Sequence, residues 1–478
     1  NMSTINCNDC DLTFDSQSKY YIHYLSTHKS TSPSVKKILI LGGGFGGVTA
    51  LQNIEKEFKK EPVEITIVSD ANYYLFTPML PQVASGLLHP SNITIPVRYF
   101  CKKAKFLQAS IESIDLDQRL VTIQRSFDSK VHTLEYDYLV IALGGQTNYF
   151  GNNNIEKHSF SMMSISDAIA VKNHLIVMLE HAAQTGNHEL QRTLLTFVVV
   201  GAGFAGVETV SEINQFLKSS ISKSYPSINL KNINVILISS KDRILPEINE
   251  KLAKKAEKVL EKDGIIIMKN TRAEDAGEEH VVLNNGGKLS CATLIWTGGT
   301  KMTKVISELK CEHGINQRLI VDESLIMRNK ENVFVLGDCA LIKDQTTNSF
   351  YPSTAQHAIR EGKVVAKNLA LLFNDKKKLT KFSFHSLGIM ALIGDREGIA
   401  TIAGHNISGL SAWLIWRAYY VSKIPTFGKK LNVAVDWFTD MILARDVTHV
   451  GVIKKKEIHA IHINENVPSI KEQLLSNL

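Results

Sequence analysis

Two runs of apolar residues end directly in glycines, and the rest of the pattern is arranged around them. The first reads ILILGGGFGGV and the second reads FVVVGAGFAGVE. A short continuous apolar run predicts a buried strand, and the glycines stand where each strand turns into a helix. The pattern therefore predicts an α/β protein with two Rossmann-like domains.

The glycines of both segments stand in the G-x-G-x-x-G register of a dinucleotide-binding turn. They are Gly42, Gly44 and Gly47 in the first segment and Gly201, Gly203 and Gly206 in the second. Glycine allows a tight turn and lets a pyrophosphate approach the amides at a helix N-terminus. With 29 glycines in 478 residues, a random match to three fixed glycines is expected roughly 0.1 times per chain. Two matches, both after apolar strands, predict two dinucleotide sites.

The segments around the fingerprints complete two βαβ units. VEITIVSD ends at Asp70, where an acidic side chain can hold an adenosine ribose, although a simple turn explains this residue equally well. YDYLVIALGG, LIWTGG and VFVLGDCA are typical of buried strands, and residues 247–262 are typical of a helix. This order predicts one nucleotide-binding domain interrupted by another, over residues 34–154, 155–312 and 313–380, with a C-terminal region at 381–478.

Composition adds a cellular context to this α/β protein. The net charge of +7 is too dispersed to indicate nucleic-acid binding, but it suits an anionic membrane surface. Six scattered cysteines do not form a disulfide framework, which favours the reducing cytoplasm. The first thirty residues are polar and unlike a secretory signal, and we expect no transmembrane segment because no apolar run approaches ~20 residues.

The first 33 residues carry the spacing of a two-cysteine, two-histidine zinc finger. Its four predicted Zn2+ ligands are Cys7, Cys10, His23 and His28. Two thiolates on a hairpin and two imidazoles on a following helix can close a tetrahedron in a small ββα unit, although chance spacing is the alternative. Two lysines against three aspartates in this segment argue against DNA recognition. We therefore predict a structural or protein-contacting finger, whose partner the sequence does not identify.

The motifs together resemble the type II NADH dehydrogenases. They are, in chain order, GGGFGG, NYYLFTPMLP, YDYLVIALGGQTNYFG, GAGFAGVE, LIWTGG, VFVLGD and YPSTAQHAIREG, followed by a tryptophan-rich C-terminal segment. The resemblance runs from about residue 36 to residue 450. It implies a single-subunit flavoprotein that passes electrons from NADH through FAD to a membrane quinone without pumping protons. It also implies a peripheral position on the cytoplasmic face of the cell membrane and is compatible with a homodimer.

The same resemblance distributes the motif residues between two cofactor sites. Asp338 would bond the flavin ribityl chain, with a helix N-cap as its alternative role, and Gln356 would lie against both flavin and quinone. Arg360 stands where the family often has a second glutamine, which leaves the quinone type open. The FAD and quinone side comprises Gly42, Gly44, Gly47, Asp70, Thr77, Pro78, Gly144, Gly337, Asp338, Ala355 and Gln356. The NAD(P)H side comprises Gly201, Gly203, Gly206, Ser239 and Gly298.

Two residues of the second unit bear on the chemistry and the donor. By resemblance Glu208 points toward the flavin and takes part in proton delivery, whereas a first-turn glutamate stabilised by the helix dipole is the alternative. Ser239 ends the second strand, where many relatives that prefer NADH have an acidic residue. Lys241 and Arg243 follow it and could pair with a 2′-phosphate or be solvated loop charges. We predict NADH as the main donor, with weak discrimination against NADPH.

The C-terminal segment is predicted to bind a membrane surface without crossing it. Apolar residues recur at helical spacing beside Lys423, Lys429 and Lys430, as in an interfacial helix. A core or dimer helix pair is the alternative. The apolar positions are Leu410, Trp413, Leu414, Val421, Ile424, Leu431, Ala434, Trp437, Phe438, Met441 and Ile442.

Two other functions compete with the NADH dehydrogenase hypothesis. A sulfide:quinone oxidoreductase would use a cysteine pair beside the flavin, yet Cys291, Cys311 and Cys339 show no redox spacing. A redox-sensing zinc-finger flavoprotein would bind NADH but turn over poorly. A disulfide reductase is excluded, because no cysteine pair follows the first fingerprint helix.

Overall fold

The computed structural model describes residues 35–449, apart from 126–128, 385, 387 and 444, together with the backbone of Ile5–Asn6 and Thr13–Phe14. These two short strands pair antiparallel, with Ile5 opposite Phe14. The predicted zinc ligands Cys7, Cys10, His23 and His28 lie outside the described residues. The zinc finger therefore stays a prediction.

The larger sheet has seven strands, and its apolar central strands are buried on both faces. The first five strands run parallel, and the fifth continues into an antiparallel meander with the last two. In spatial order they are Val333–Val335, Tyr138–Ile141, Lys36–Leu41, Val63–Ser69, Lys105–Asp115, Leu120–Arg125 and Val131–Glu135. Central strands of β-branched and leucine residues explain the near-continuous apolar runs in the sequence.

The smaller sheet is entirely parallel. In sequence its strands lie between Tyr138–Ile141 and Val333–Val335, which are neighbouring strands of the larger sheet. Its spatial order is Ile265–Met268, Asn234–Ile238, Thr196–Val200 and Thr293–Trp296. An antiparallel sheet of Ala273–Ala276, His280–Leu283 and Lys288–Ser290 accompanies it. Gln146–Thr147 pairs antiparallel with Thr300–Lys301, where the chain leaves the larger sheet and returns to it. Shorter paired strands are Tyr73–Leu75 with Thr94–Pro96 and Leu319–Ile320 with Ala340–Leu341.

Helices cover the two parallel sheets. The first fingerprint helix is Phe45–Glu57, the second fingerprint helix is Phe204–Ser224, and the Gln356 helix is Ala355–Phe373. Further α-helices are Leu80–Ala84, Asn153–His158, Ile165–Gln184, His188–Leu194, Glu250–Lys262 and Lys304–Ser307. Single 3₁₀ turns are Thr77–Met79, Pro90–Asn92, Val97–Tyr99, Leu230–Asn232, Ile315–Gln317 and Gly337–Cys339.

The C-terminal region contains a sheet that the sequence analysis did not predict. Gly388–Gly394, Glu397–Ile402 and His405–Gly409 form an antiparallel three-stranded sheet. Two helices follow it, Leu410–Lys423 and Phe427–Asp440, and we call them the tryptophan helix pair. Among the described residues no helix combines the length and apolar character needed to cross a bilayer.

Candidate active site

Four predicted cofactor-binding segments meet at one edge of the larger sheet. They follow the carboxyl ends of neighbouring parallel strands, which is where open α/β sheets bind nucleotides. A Cβ on Gly43 would lie 2.9 Å from Ser69 Oγ, so the first glycine turn touches the end of the next strand. The segments are Gly42–Gly44, Asp70, Gly144 and Gly337–Asp338.

The first fingerprint has the geometry that a pyrophosphate requires. Gly42 has φ +110°, and a Cβ there would lie 2.2 Å from Ala142 O. A Cβ on Gly47 would lie 1.9 Å from Gly42 O, so neither glycine can be replaced without a clash. Gly44 begins the helix without a side-chain cap, and a Cβ there would meet open space. The helix amides are therefore available to an anion, and these residues fit a dinucleotide.

The two predicted acidic partners of FAD lie at the same sheet edge. The Asp70 carboxylate is exposed at a strand end and accepts the Ala71 N–H at 2.7 Å, a contact that also suits a turn. Asp338 accepts no hydrogen bond among the described residues, which argues against the N-cap role. Burial raises the pKa of Asp338, and the nearby Arg318 opposes this change. Asp338 is thus a half-buried acceptor without a protein partner, as a ribityl-binding group would be.

A buried glutamate beside Asp338 was missed by the sequence analysis. Glu361 lies on the Gln356 helix, is 2% exposed and accepts the Gly337 N–H at 2.6 Å. Burial raises its pKa to about 7. The only sequence signal was its position in HAIREG, on the same helix face as Ala358 and Val365. Glu361 fixes the turn that presents Asp338.

The second fingerprint repeats the geometry of the first. Gly201 has φ +107°, and a Cβ on Gly206 would lie 1.7 Å from Gly201 O. Gly203 begins the second fingerprint helix without a side-chain cap. Thr297 Oγ1 donates to Val200 O at 2.8 Å and thereby joins LIWTGG to the glycine turn. A Cβ on Gly298 would lie 3.0 Å from the Trp296 ring, so glycine is needed there for packing.

Ser239 does not present its hydroxyl to a ligand. The side chain is buried, and its Oγ lies 3.1 Å from Lys241 O and 3.2 Å from Arg243 O. The Arg243 guanidinium donates to Pro246 O at 2.7 Å, while Lys241 is exposed. Where the family resemblance leads us to expect an acidic side chain, Ser239 bonds within its own loop, and the exposed Lys241 lies at the rim of that loop.

Glu208 lies one turn further into its helix than a dipole-stabilised residue would. The helix begins at Phe204 and has no acidic residue in its first turn. Glu208 Oε1 accepts the Leu392 N–H at 3.0 Å and the Trp416 Nε1–H at 3.1 Å. Burial raises its pKa to about 8 despite these two donors. The raised pKa favours the protonated form of the carboxyl group near neutral pH, from which it can give up a proton.

A buried carboxylate, Glu212, lies one helical turn beyond Glu208. Glu212 accepts the Ser85 Oγ–H at 2.9 Å and pairs with Arg445 at 3.3 Å. Arg445 also pairs with Asp440 at 2.9 Å. Glu212 and Arg445 are 233 positions apart, so no sequence motif indicates that they pair. The network ties the end of the tryptophan helix pair to the second fingerprint helix.

Aromatic rings connect the first fingerprint with Glu208. Phe45, the first residue of the first fingerprint helix, lies 5.8 Å from Phe76 between ring centroids. Phe76 lies 6.0 Å from Tyr420, which lies 4.4 Å from Trp416. Trp416 in turn donates to Glu208. The predicted FAD turn and the predicted proton donor are thus two ends of one packed aromatic series.

Two of the predicted quinone-side residues continue the chain from this series, and Gln356 lies on a separate helix. Thr77 and Pro78 follow Phe76 directly and are at least partly exposed. Gln356 is half-buried at the start of its helix, and its backbone oxygen accepts the Arg360 guanidinium at 2.9 Å. Arg360 lies 3.8 Å from the centroid of the Phe384 ring, so it is a packed residue rather than an ordinary surface one.

The described cysteines are free thiols, of which Cys291 and Cys339 are buried and Cys101 and Cys311 are half-buried. Burial raises the pKa of Cys291 and of Cys339 to about 12. The Cys339 thiol donates to Leu336 O at 3.3 Å, and Cys311 lies 4.0 Å from His313 Nε2. A thiol with so high a pKa is a poor nucleophile at neutral pH. These environments do not favour cysteine chemistry beside a flavin.

The predicted outer face of the tryptophan helix pair was partly wrong. Trp413, Trp437 and Ile424 are buried, and Trp413 lies against Gly398 of the C-terminal sheet. The Trp437 Nε1–H donates to Gln82 Oε1 at 2.9 Å. The outer face keeps the predicted Leu410, Leu414, Leu431 and Phe438, with Met441 and Ile442 directly after the second helix, and adds Phe427, Val435 and Leu443; all are about half exposed or more.

Two protein families match successive parts of this chain. Residues 36–362 match the pyridine nucleotide-disulphide oxidoreductase family, and residues 386–446 match the NDH2 C-terminal domain. A probable NADH dehydrogenase of Dictyostelium discoideum is 30% identical over 423 residues, covering 86% of this chain and 91% of the relative. The type II NADH:quinone oxidoreductase NdhA of Mycobacterium tuberculosis is 28% identical over 416 residues, covering 84% and 86%.

A solved structure shows the same fold. The NDH2 of Plasmodium falciparum in complex with NADH superposes with a TM-score of 0.80 at 22% identity, over 86% of this chain and 99% of that one. Both parts of the chain, the dinucleotide-binding body and the C-terminal domain, thus match one group of proteins. The chain belongs to the type II NADH dehydrogenase (NDH2) family of pyridine nucleotide-disulphide oxidoreductases.

Proposed function

We propose that this protein is a flavin-dependent NADH:quinone oxidoreductase that does not pump protons. The observation that carries the proposal is the aromatic series from Phe45 to Trp416, which joins the first dinucleotide turn to Glu208. A protonatable group beside a redox cofactor is what quinone reduction needs, because the quinone takes up two protons with two electrons. The Mycobacterium tuberculosis relative is named a type II NADH:quinone oxidoreductase, and the Dictyostelium discoideum relative a probable NADH dehydrogenase.

The residues of the larger sheet fit FAD. Gly42, Gly44 and Gly47 would hold its pyrophosphate on the first fingerprint helix, Asp70 the adenosine ribose and Asp338 the ribityl chain. Gly144 and Gly337, both with positive φ, would let the backbone approach the cofactor. When bound, FAD supplies the two-electron redox chemistry, and the protein orients it and adjusts the electrostatics.

The second fingerprint would hold the nicotinamide dinucleotide. Gly201, Gly203 and Gly206 leave the N-terminus of the second fingerprint helix open to a pyrophosphate. Gly298 lies at the end of the neighbouring strand, beside the same turn. NADH is the proposed main donor, within a domain that spans residues 155–312 between the two parts of the FAD domain, 34–154 and 313–380.

The quinone would be reduced at the end of the site formed by Thr77, Pro78, Ala355 and Gln356. The Gln356 amide offers both a donor and an acceptor to a quinone carbonyl. Glu208 would supply a proton there, which its raised pKa favours at neutral pH. Arg360 is held by Gln356 O and the Phe384 ring, so its charge lies near the start of the same helix.

The outer face of the tryptophan helix pair would dock on an anionic membrane surface, on the cytoplasmic face. The face presents contiguous exposed apolar residues, and Lys423, Lys429 and Lys430 lie on the same two helices. Apolar burial and attraction to anionic lipid act together in such helices. A docked enzyme would take its quinone directly from the bilayer.

The N-terminal finger would bind one Zn2+ through Cys7, Cys10, His23 and His28 as an appended module. The support is the ligand spacing and the antiparallel pairing of Ile5–Asn6 with Thr13–Phe14, which flanks the two cysteines. Metal analysis of the full chain should give one zinc per protein. Deleting residues 1–33 should leave NADH oxidation by quinone largely intact, and a collapse of turnover in a folded, FAD-loaded deletion would contradict the appended role.

An anaerobic spectrum of the purified protein tests the main proposal. NADH should bleach the visible flavin absorbance, and a soluble quinone should restore it. Steady-state turnover separates an enzyme from a redox sensor, which would be reduced but turn over poorly. Bleaching by sulfide and not by NADH, or a preparation that binds no flavin, would overturn the proposal.

A further inference from the structure

The Glu208 carboxylate is held by one of its oxygens only. Both of its hydrogen-bond donors, the Leu392 N–H at 3.0 Å and the Trp416 Nε1–H at 3.1 Å, point at Oε1. Oε2 has no hydrogen bond among the described residues. Two donors on one oxygen fix the rotation of the carboxyl group and leave the other oxygen for a ligand.

The two donors differ in whether they depend on the type of residue at their position. Leu392 donates through its backbone, so any non-proline residue on that strand would serve. Trp416 is the only side-chain donor to Glu208 among the described residues, and it is 1% exposed. Its ring is confined by Tyr420, whose ring centroid lies 4.4 Å away. A ring that packing holds in one orientation keeps its N–H directed at one acceptor.

We propose that Trp416 is a positioning residue that holds Glu208 Oε1 and directs Oε2 toward the quinone end of the active site. The inference rests on the proposed function, in which Glu208 gives a proton to the reaction. It also gives the C-terminal domain a role in catalysis beyond membrane docking. The same helix that carries exposed Leu410 and Leu414 outward carries Trp416 inward to the carboxyl group.

The charged groups around Glu208 determine the direction of the expected effect. On its own helix Glu212 raises the pKa of Glu208, and Arg445 and Arg417 on the C-terminal side partly compensate Glu212. Tyr420 faces Glu208 from the tryptophan helix pair and is kept neutral by burial, and the C-terminal sheet contributes the Leu392 amide. An N–H donor stabilises the ionised carboxylate, so removing it should make Glu208 bind its proton more tightly.

Trp416→Phe removes the N–H and keeps most of the ring. The pH profile of quinone reduction should keep its shape, while the limb assigned to Glu208 moves up by about one pH unit, a tenfold change in proton affinity. Infrared spectra of the flavin-loaded protein, with Glu208→Gln as the reference, should show the protonated carboxyl band persisting to correspondingly higher pH. Trp437→Phe is the matched control, because it also removes a buried indole N–H bond but at Gln82.

The outcomes separate this inference from the proposed function. A shift in Trp416→Phe without a shift in Trp437→Phe supports the positioning role. No shift, or equal shifts in both variants, overturns it and leaves only a packing role for Trp416. If Glu208→Gln itself retains full quinone reduction, the proton role in the proposed function fails instead.

A measurement on the unmodified residue covers the case in which Trp416→Phe does not fold. The chain has four tryptophans, so ¹⁵N-indole labelling of the wild-type protein gives few signals. One of them, assigned by its loss or shift in Glu208→Gln, should titrate with the Glu208 carboxyl group. An indole spectrum that is identical in wild type and Glu208→Gln at every pH would overturn the inference.

Discussion

Gly362 of the Gln356 helix lies directly against Gly46 of the first fingerprint helix. A Cβ on Gly362 would lie 2.9 Å from Gly46 O and 2.9 Å from Ala50 N. The two helices therefore touch backbone to backbone. This contact holds the helix that carries Gln356 and Glu361 against the turn that would hold FAD, and the sequence analysis did not assign it.

Gly362→Ala should push the two helices apart. Overpacking a close contact costs about 1–3 kcal/mol, and the variant should also retain less FAD because the first fingerprint turn is displaced. Chemical denaturation and flavin content of the purified protein measure both effects. Gly428→Ala is the control, since a Cβ at Gly428 meets nothing within 4 Å. Equal stability and flavin content in the two variants would contradict the role of the contact.

Asp338→Ala should lose flavin. The Asp338 carboxylate accepts no hydrogen bond from the described residues and is half-buried at the sheet edge. Its loss should therefore remove a contact to FAD and no hydrogen bond within the protein. The protein should purify with little FAD and reduce quinone slowly, whereas Asp117→Ala, at an exposed position, should be unaffected. Full FAD content in Asp338→Ala would show that the assignment is wrong.

Glu361 should make the protein less stable as pH rises. Its folded pKa is about 7, against an ordinary value of 4.5 for glutamate, so its stabilising contribution is complete below about pH 4.5 and is lost as pH rises through about 7. Glu361→Gln can still accept the Gly337 N–H but cannot ionise. The urea concentration at the midpoint of unfolding should therefore fall less from pH 5 to pH 9 in the variant than in the wild type. Parallel curves would contradict the buried, neutral state of Glu361.

The donor preference should depend on Lys241. Ser239 is closed into its own loop and cannot repel a 2′-phosphate, so kcat/KM should favour NADH over NADPH by less than about a thousandfold, or ~4 kcal/mol. Lys241→Ala should lower kcat/KM for NADPH more than for NADH, because a lysine can pair with a phosphate. Lys251→Ala, on a neighbouring helix, serves as the control. A larger preference in the wild type would mean that another group discriminates.

Acidic substitutions on the outer face of the tryptophan helix pair should weaken membrane binding. Leu431→Glu and Phe438→Glu place charge on residues that are 54% and 59% exposed, so folding should be unaffected while partition to anionic liposomes falls. Val131→Glu, equally exposed on the meander of the larger sheet, should bind like the wild type. These substitutions test docking better than removal of the C-terminal region, which would also remove Trp416. Unchanged binding would argue for a different surface.

The sequence alone determined the two dinucleotide turns. Their geometry is local, because Gly42 and Gly201 adopt positive φ and Gly47 and Gly206 contact residues only five positions away. Strand, turn and helix follow one another without a break in such a unit, so spacing and residue type are sufficient to predict it. The family motifs then extended the prediction to Asp338 and Gln356.

The tertiary structure decided which side chains meet around Glu208. Trp416 bonds to Glu208 across 208 positions and Arg445 to Glu212 across 233. Helical periodicity marked Trp413 and Trp437 as apolar, but it could not tell a helix face that is buried inside the protein from a face that is turned outward. That choice depends on how distant elements pack, since burial and hydrogen bonding of a side chain are properties of its neighbours in space and not of its neighbours along the chain.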